Sequence, residues 1–335
     1  MFKGSSLKKN AKFYTTVFIA GLVFLTTLTS VGFAALNQNL NIAGQLEYEK
    51  HEVWAENLGY DNTNTGVHCN TAQCMIDCLA DESLCPPAPS FANDSWSTIV
   101  DAIQRGNTSN YKVGDTKTID MGSLGTHTLR IANKSTPSEC SGSGFSQTAC
   151  GFVIEFADII TTHQMNPYTS SITTNGDGNI GGWPASEMRT YVNSDIYNAL
   201  PTDLKNAIIN TTVVSGYGSN DSSNFTSTDK LYLLSTHEVY EDDDGNTSSG
   251  IDFFDTAYNN TRQLDYYSSQ NITISNYSGA SGASKQRNDY GYYYWWLRSA
   301  YSSDNERFYY VSDSGYWGFT FFTNTNGVSP AFRIG

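Results

Sequence analysis

The residues best suited to chemistry lie near the C-terminus, in residues 290–322. This stretch concentrates aromatic side chains among Ser, Asn, Asp and Gly, and it contains almost no aliphatic residues. Antibody paratopes have a similar composition, because rigid rings supply contact area and small polar groups supply adaptable hydrogen bonds. The sequence therefore predicts non-covalent ligand binding by the C-terminal stretch.

Two segments flank the aromatic and polar middle of this stretch. They are residues 295–299 before it and residues 327–334 after it. We interpret them as a scaffold strand and a closing scaffold strand. Adjacent residues of a strand point to opposite faces. We therefore expect one of Trp295 and Trp296 to fill the core and the other to form the floor of the binding face.

Two arginines, Arg298 and Arg333, lie inside these framing segments. Each is expected to be partly buried and paired with a carboxylate, because buried charges need a partner of opposite sign. This scaffold role is favoured over contact with a ligand.

An acidic run is the main candidate for a metal site. Asp242, Asp244 and Asn246 alternate as the oxygen ligands of a calcium loop do. However, Thr247 stands where that loop requires glycine, and no glutamate occupies the twelfth position. A solvated loop is the favoured interpretation, an incidental calcium site is the alternative, and no other cofactor is expected.

Catalytic residues are not evident from the sequence. His127, His163 and His237 are scattered, and no Gly-x-Ser-x-Gly pattern marks a serine nucleophile. The members of a Ser/His/Asp triad need not be close in sequence, so the pattern does not test for one. We expect a protein that is not an enzyme.

Cysteines indicate an exported chain with disulfides. Six cysteines allow many pairings, of which Cys140 with Cys150 is the best single prediction, because the pair closes a Gly/Ser loop. A zinc site at His68 and the nearby cysteines is the alternative, although the spacings match no common zinc pattern. The disulfide candidates are Cys69, Cys74, Cys78, Cys85, Cys140 and Cys150.

The N-terminus predicts export. Residues 1–34 combine a basic start, a short apolar core and small residues for cleavage near Ala34, so they read as a signal peptide, with a retained membrane anchor as the alternative. Residues 35–90 are expected to form a small cysteine-rich stalk or module that ends in a proline-rich linker. Residues 91–335 are expected to form the main domain.

The formal net charge of −14 limits the possible partners. Such a surface repels nucleic acid phosphates, so we expect no nucleic acid partner. No second hydrophobic stretch reaches membrane-spanning length, so a membrane contact is expected only through an uncleaved N-terminal segment.

Hydrophobic spacing predicts few helices and many short strands. Helices are expected after Asp94 or Ser95, after a capping Ser186, and from Pro201 to Ile209. Residues 241–288 are expected to be loop. These elements predict an α+β fold. Strands or strand-and-turn segments are expected at residues 36–50, 111–116, 128–132, 152–156, 211–214 and 230–234.

Four motifs carry a resemblance to a known family. The sequences WWLRS at 295–299 and GVSPAFRI at 327–334 resemble the C-terminal signature of a large group of bacterial surface domains. GGWPASEMR at 181–189 and DKLYLLS at 229–235 look like its internal motifs. The resemblance covers residues 91–335.

This group is similar to the C-type-lectin-like fold shared by formylglycine-generating-enzyme relatives and by the variable proteins of diversity-generating retroelements. In those variable proteins, a reverse transcriptase copies a template with errors at adenines and rewrites codons near the C-terminus. The fold then holds the variable side chains on a rigid surface that binds a ligand. The enzyme relatives use a cysteine pair near the C-terminus, whereas the last cysteine here is Cys150, so their oxidase chemistry is not implied.

The resemblance implies a variable-type region over residues 299–326. Within it, Phe308, Val311 and Gly315 are expected to belong to the scaffold. The displayed, ligand-binding positions are expected to be Tyr301, Ser302, Ser303, Asp304, Asn305, Arg307, Tyr310, Ser312, Tyr316, Trp317, Phe319, Phe321, Phe322 and Asn324.

The expected function is that of a secreted or cell-surface protein that binds without catalysis. Its ligand is expected to be a protein or glycan on another cell, a host or a phage, met by a diversified aromatic surface. One alternative is a non-diversified carbohydrate-binding or structural module of the cell envelope. The other is an enzyme on the same fold.

Overall fold

The structure, a computed structural model, describes residues 89–168, 177–243, 245, 248–275 and 280–335. The predicted signal segment, the first predicted strand and residues 35–88 of the predicted cysteine-rich module lie outside these residues. The Cys140–Cys150 disulfide is present, which confirms that pairing. No helix in the described part of the chain is long and apolar enough to cross a membrane.

The first sheet has five antiparallel strands, and the C-terminal strand lies inside it rather than at its edge. The second strand alternates buried and half-buried residues over most of its length, as expected for a sheet with one face on the core. In spatial order the strands are β1 (Thr116–Asp120), β2 (Thr126–Asn133), β3 (Val153–Phe156), β14 (Ala331–Ile334) and β5 (Ile208–Ile209).

The second sheet also has five strands, and its central strand is buried along its whole length. Neighbouring strands are antiparallel except for the central strand and β13, which are parallel. In spatial order the strands are β12 (Trp317–Phe321), β11 (Arg307–Val311), β10 (Trp295–Ala300), β13 (Asn326–Val328) and β4 (Thr161–His163).

The chain passes directly from the second sheet to the first between β13 and β14. Only Ser329 and Pro330 separate the two strands. Proline lacks a backbone N–H and therefore suits a point where the chain leaves a ladder. The Pro330 carbonyl still accepts the N–H of Phe156 at 3.0 Å. The last ten residues thus tie the two sheets together.

Two hairpins and several short helices complete the fold. The hairpins pair β6 (Thr211–Ser215) with β7 (Phe225–Asp229), and β8 (Lys285–Arg287) with β9 (Gly291–Tyr293). The predicted α+β class is confirmed, with strands dominating. A π-helix spans Val192–Ile196. The α-helices are α1 (Trp96–Gln104), α2 (Gly182–Ala185), α3 (Glu187–Tyr191), α4 (Tyr197–Ala199), α5 (Thr202–Ala207), α6 (Thr236–Val239), α7 (Ile251–Phe254) and α8 (Asp265–Ser269).

Local sequence explains where two of the helices begin. The Ser95 hydroxyl accepts the Thr98 N–H at 3.1 Å and caps α1. The Ser186 hydroxyl accepts the Arg189 N–H at 3.1 Å and caps α3. Both caps confirm the predictions, and Gly106, with φ 72°, follows the end of α1.

Three predicted elements need correction. Residues 230–234 are not a strand: Tyr232 only bridges Ala331, and β7 takes the place beside β6. Ile208 and Ile209 form β5 rather than the end of a helix, because they pair with β14. Residues 241–288, predicted as loop, include α7, α8 and β8.

A buried ion pair joins the central strand β10 to helix α6. Arg298 and Glu238 are both fully buried, and each of the two terminal guanidinium nitrogens lies 2.6 Å from one carboxylate oxygen. The Ser235 N–H and the Thr261 hydroxyl also donate to this carboxylate. Burial alone would raise the pKa of Glu238, but the charge and hydrogen bonds of Arg298 lower it below its usual value. The predicted scaffold role of Arg298 is confirmed.

The other predicted arginine is held differently. Arg333 is partly buried and donates to the side-chain oxygen of Gln147 at 3.2 Å. Its expected carboxylate partner is not found among the described residues, so that part of the prediction was wrong. Burial lowers the pKa of Arg333 from its usual value.

A second buried charge cluster links the first sheet to β8. The Glu155 carboxylate lies 2.7 Å from Lys285 Nζ and 2.7 Å from Arg130 Nη2, and it accepts the Tyr267 hydroxyl. Lys285 also donates to the Ser329 hydroxyl. Burial lowers the pKa of Lys285 to about 8. This cluster fixes the base of the β8–β9 hairpin.

We expect Arg298→Met to lower the free energy of unfolding by about 3–5 kcal/mol, because it leaves the Glu238 carboxylate buried without its partner. Urea denaturation measures this loss. The matched control is Arg307→Met, whose ion pair with Asp304 is partly solvated; it should cost about 0–1 kcal/mol. Equal losses for the two variants would contradict this role for the buried pair.

Candidate functional site

The hairpin of β11 and β12 carries the candidate binding surface. Its register pairs Arg307 with Phe321 and Tyr309 with Phe319, so these four residues share one face of the sheet. Tyr301, just after β10, stacks on Phe319 with ring centroids 4.1 Å apart. We call Tyr301, Arg307, Phe319 and Phe321 the ring cluster.

The ring cluster is open to solvent and braced from below. Phe319 is 37% exposed and Phe321 is 41% exposed. The buried Tyr309 ring meets Tyr301 and Phe319 edge-on, at 5.8 Å and 6.1 Å between centroids. Edge-to-face packing of this kind is favourable and fixes ring orientation. The exposed rings therefore stand on a rigid aromatic floor.

Arg307 adds a charged group to the cluster. Its guanidinium carbon lies 4.8 Å from the Phe321 ring centroid and 5.6 Å from that of Phe319, within the range of cation–π attraction. One guanidinium nitrogen lies 3.1 Å from the Asp304 carboxylate. The surface thus presents flat rings beside an arginine that is already oriented.

Two phenylalanines that were not predicted from the sequence extend the cluster. Phe254 packs against Tyr301 at 5.0 Å between centroids, and Phe253, 49% exposed, meets Phe254 edge-on. The Phe254 carbonyl accepts the Ser302 N–H at 3.0 Å. Both residues lie in a polar stretch predicted as loop, and no periodic pattern there gives a signal for them.

The side chain of Asn179 holds the backbone of the 301–307 loop. Its amide nitrogen donates to the carbonyls of Tyr301, Asp304 and Arg307, at 3.4, 3.1 and 3.0 Å. Its backbone N–H donates to the Asn305 carbonyl at 3.0 Å. These contacts use backbone acceptors of the loop, so they do not depend on which side chains the loop carries.

A close glycine contact explains how Asn179 reaches this position. A Cβ at Gly218 would lie 2.0 Å from Asn179 Oδ1, which is closer than atoms can approach. The Ser219 N–H next to this glycine donates to the Asp304 carbonyl at 2.9 Å. Only glycine at 218 leaves room for the amide.

The other end of the variable-type region is held in the same way. The Phe322 carbonyl accepts the N–H of Met165 at 2.9 Å, and the Thr323 carbonyl accepts the Gln164 side chain. The Gly315 carbonyl accepts the buried Tyr240 hydroxyl at 2.7 Å. In each case the acceptor is backbone of the region and the donor lies outside it.

The predicted displayed positions differ in their burial. Twelve of them lie at the surface with exposed or half-buried side chains: Tyr301, Ser302, Ser303, Asp304, Asn305, Arg307, Tyr310, Tyr316, Trp317, Phe319, Phe321 and Asn324.

Two predicted displayed positions are buried, and these predictions were wrong. Phe322 is 1% exposed and lies so close to Gly178 that a Cβ there would be 1.9 Å from its ring. Ser312 is 6% exposed, and its hydroxyl accepts the Tyr316 N–H at 3.0 Å, which fixes the β11–β12 turn. Phe308, Val311 and Gly315, predicted as scaffold, are buried.

The tryptophan pair is also corrected. Both Trp295 and Trp296 are fully buried, so neither forms the floor of the binding face, and Tyr309 takes that place. The Trp295 indole donates to the Ala283 carbonyl, and the Trp296 indole donates to the His163 carbonyl. All six residues of β10 are buried, so both faces of this strand are covered.

The structure shows the surroundings of the candidate metal ligands and of the three histidines. No group of three or more His, Cys, Asp or Glu there is arranged to hold a metal ion. Asp244 and Asn246 of the predicted calcium loop lie outside the described residues. His127 faces Asp158, His163 stacks on Tyr191, and His237 stacks on Tyr258.

Comparison with known proteins gives one match. The profile of the family described as Domain of unknown function (DUF6273) matches residues 159–335, which include the whole ring cluster and Asn179. Neither the curated proteins nor the solved structures contain a match to this chain.

We expect Asn179→Asp to loosen the 301–307 loop. The change keeps the shape of the side chain but replaces its donor with a carboxylate that faces three carbonyl oxygens. Loss of such buried bonds costs about 1–3 kcal/mol, and more when a charge is involved. Hydrogen exchange of the loop peptide should accelerate, while exchange in β2 should not change.

The matched control is Asn305→Asp, which introduces the same charge on a half-buried side chain of the loop itself. Its effect on loop exchange should be small. If the two variants exchange alike, the loop is not held by Asn179.

Proposed function

The chain belongs to the DUF6273 family, a domain of unknown function, and we propose that this member is an exported, non-enzymatic protein that binds a ligand through its ring cluster. The observation that carries the proposal is the way the 301–307 loop is held. Asn179 and the Ser219 N–H bind backbone carbonyls of the loop, so these bonds do not depend on the loop side chains. Among the loop side chains, the Asp304 carboxylate also holds the backbone, because it accepts the N–H groups of Glu306 and Arg307.

The arrangement of the rings supports binding rather than core packing. Tyr301, Phe319 and Phe321 face solvent over a buried Tyr309. The hydrophobic effect would favour burial of these rings, so their exposure needs another explanation. Exposed aromatic anchors at the centre of a patch supply most of the affinity at many protein interfaces. We propose a protein or glycan on another cell, a host or a phage as the ligand.

Diversification of this surface is part of the proposal. We propose that the chain is the variable protein of a diversity-generating retroelement and that its scaffold is C-type-lectin-like. The two curled sheets tied by the C-terminal strands, the long loops and the backbone-held variable-type region support this assignment. The Cys140–Cys150 disulfide supports an oxidising compartment and hence a secreted or cell-surface location.

A display library tests whether the ring cluster is a binding surface. The full chain is displayed on yeast with six surface positions randomised, and hen lysozyme serves as the probe. We expect saturable binders, because Asn179 and the Ser219 N–H hold the loop backbone whatever side chains occupy the six randomised positions. The randomised positions are Tyr301, Ser303, Arg307, Phe319, Phe321 and Asn324.

A second library, randomised on the exposed face of α1, is the control and should give no binders. Equal yields from the two libraries would contradict the proposal. Substitutions at two adjacent positions test which rings are displayed and which are core. Phe321→Ser should shift Tm by only a few degrees, whereas Phe322→Ser should lower the free energy of unfolding by about 3–5 kcal/mol, as large core truncations do.

The neighbouring DNA tests diversification itself. We expect a near-copy of the codons for residues 299–335 that differs only at adenines, beside a reverse transcriptase gene. Sequencing the locus from sister isolates should then show substitutions concentrated at the exposed positions of the ring cluster. A locus without such a copy, or substitutions spread evenly over the chain, would refute the retroelement role while leaving ligand binding open to the library test.

A further inference from the structure

A second aromatic surface lies outside the ring cluster and runs from the β8–β9 hairpin to strand β11. Tyr290, Tyr293, Tyr294 and Tyr310 form a continuous row in which successive ring centroids are 5.2, 6.1 and 5.4 Å apart. Tyr290 is 68% exposed and Tyr294 is 40% exposed. We call these four residues the tyrosine row.

The row is held by fixed contacts. Tyr294 lies next to the buried strand β10, and its carbonyl accepts the Gly327 N–H at 2.7 Å. Tyr310 rests on Gly318, where a Cβ would lie 2.6 Å from the ring. At the base of the hairpin, Lys285 is anchored by Glu155 in the core. The rings are therefore positioned before any ligand arrives.

The chemistry of the row is polar and uncharged. None of the four phenol hydroxyls has a hydrogen-bond partner within the described residues. Arg287 lies 5.1 Å from the Tyr293 centroid, and its charge is neutralised by a two-point contact with Asp289. Each ring thus offers an apolar body together with a free hydroxyl that can donate and accept.

We propose that the tyrosine row binds an uncharged oligosaccharide. Sugar units present apolar C–H faces and a rim of hydroxyls, and a tyrosine can meet both at once. The ring spacing is comparable with the length of one sugar unit, so consecutive units can meet consecutive rings. The net charge of −14 disfavours anionic polymers. This site is separate from the ring cluster and does not depend on its function.

Titration of the full chain with uncharged hexasaccharides tests this site. The probes are the hexamers of α-1,4-linked glucose, β-1,4-linked glucose, β-1,4-linked mannose and β-1,4-linked N-acetylglucosamine. Binding is measured by saturation-transfer NMR and aromatic fluorescence. We expect at least one to bind saturably. Tyr290→Ala and Tyr294→Ala should each weaken it by about 10-fold, equivalent to about 1.4 kcal/mol.

Tyr294→Phe separates the two contributions, because it keeps the ring and removes the hydroxyl, and it should weaken binding less than alanine does. Tyr292→Ala is the matched control: it is 54% exposed on the same hairpin but makes no ring contact with the row. Tyr292→Ala and Phe321→Ala should leave glycan binding unchanged.

Three outcomes would overturn the proposal. One is that none of the hexasaccharides binds. Another is that binding survives both Tyr290→Ala and Tyr294→Ala, or is lost in Phe321→Ala instead, which would place the glycan on the ring cluster. The third is that Tyr294→Ala abolishes self-association in sedimentation without affecting glycans, which would assign the row to a second copy of the chain.

Discussion

The buried pair of Arg298 and Glu238 is the interaction on which the rest of the structure depends. Removing two charges from water costs several kcal/mol per ion, and this cost is recovered only if every donor and acceptor is satisfied. Arg298 therefore donates also to the carbonyls of Val214 and Leu233, while Glu238 receives the Ser235 N–H. These hydrogen bonds are all formed only when β10, β6 and α6 take one relative arrangement. The candidate surfaces extend from β10.

From that fixed strand, the fold separates backbone support from side-chain display. The loop after β10 is held through its carbonyls by Asn179, and the later part of the region is held through the carbonyls of Gly315 and Phe322. A change of side chain leaves such bonds intact, whereas a change of Asn179 would break several of them at once. Tolerance to substitution therefore follows from the backbone bonds around the region. It does not extend to Asp304, Ser312 and Phe322, whose own side chains hold or fill the structure.

The features that local rules decide could be predicted from the sequence. The cap at Ser186, the disulfide over a short loop and the buried Arg298 depend on nearby residues or on the cost of a buried charge. Features that depend on distant neighbours could not. Trp296 is buried because other elements cover both faces of β10, and Phe322 is buried because Gly178 leaves space for it. The role of Asn179 could not be predicted, because its bonding partners in the 301–307 loop are distant in sequence. A polar residue in a glycine-rich loop carries no local pattern that indicates such a contact.

The alternation of β11 explains how one hairpin can serve two surfaces. Tyr309 supports the ring cluster, while Tyr310, the next residue, points to the opposite face and ends the tyrosine row. A slip of one residue would exchange the two faces, so the register must be fixed. The buried Ser312 hydroxyl fixes it at the turn, and Gly318 fixes it by admitting the Tyr310 ring. Because the two surfaces face apart, a ligand on one surface leaves the other surface free to bind.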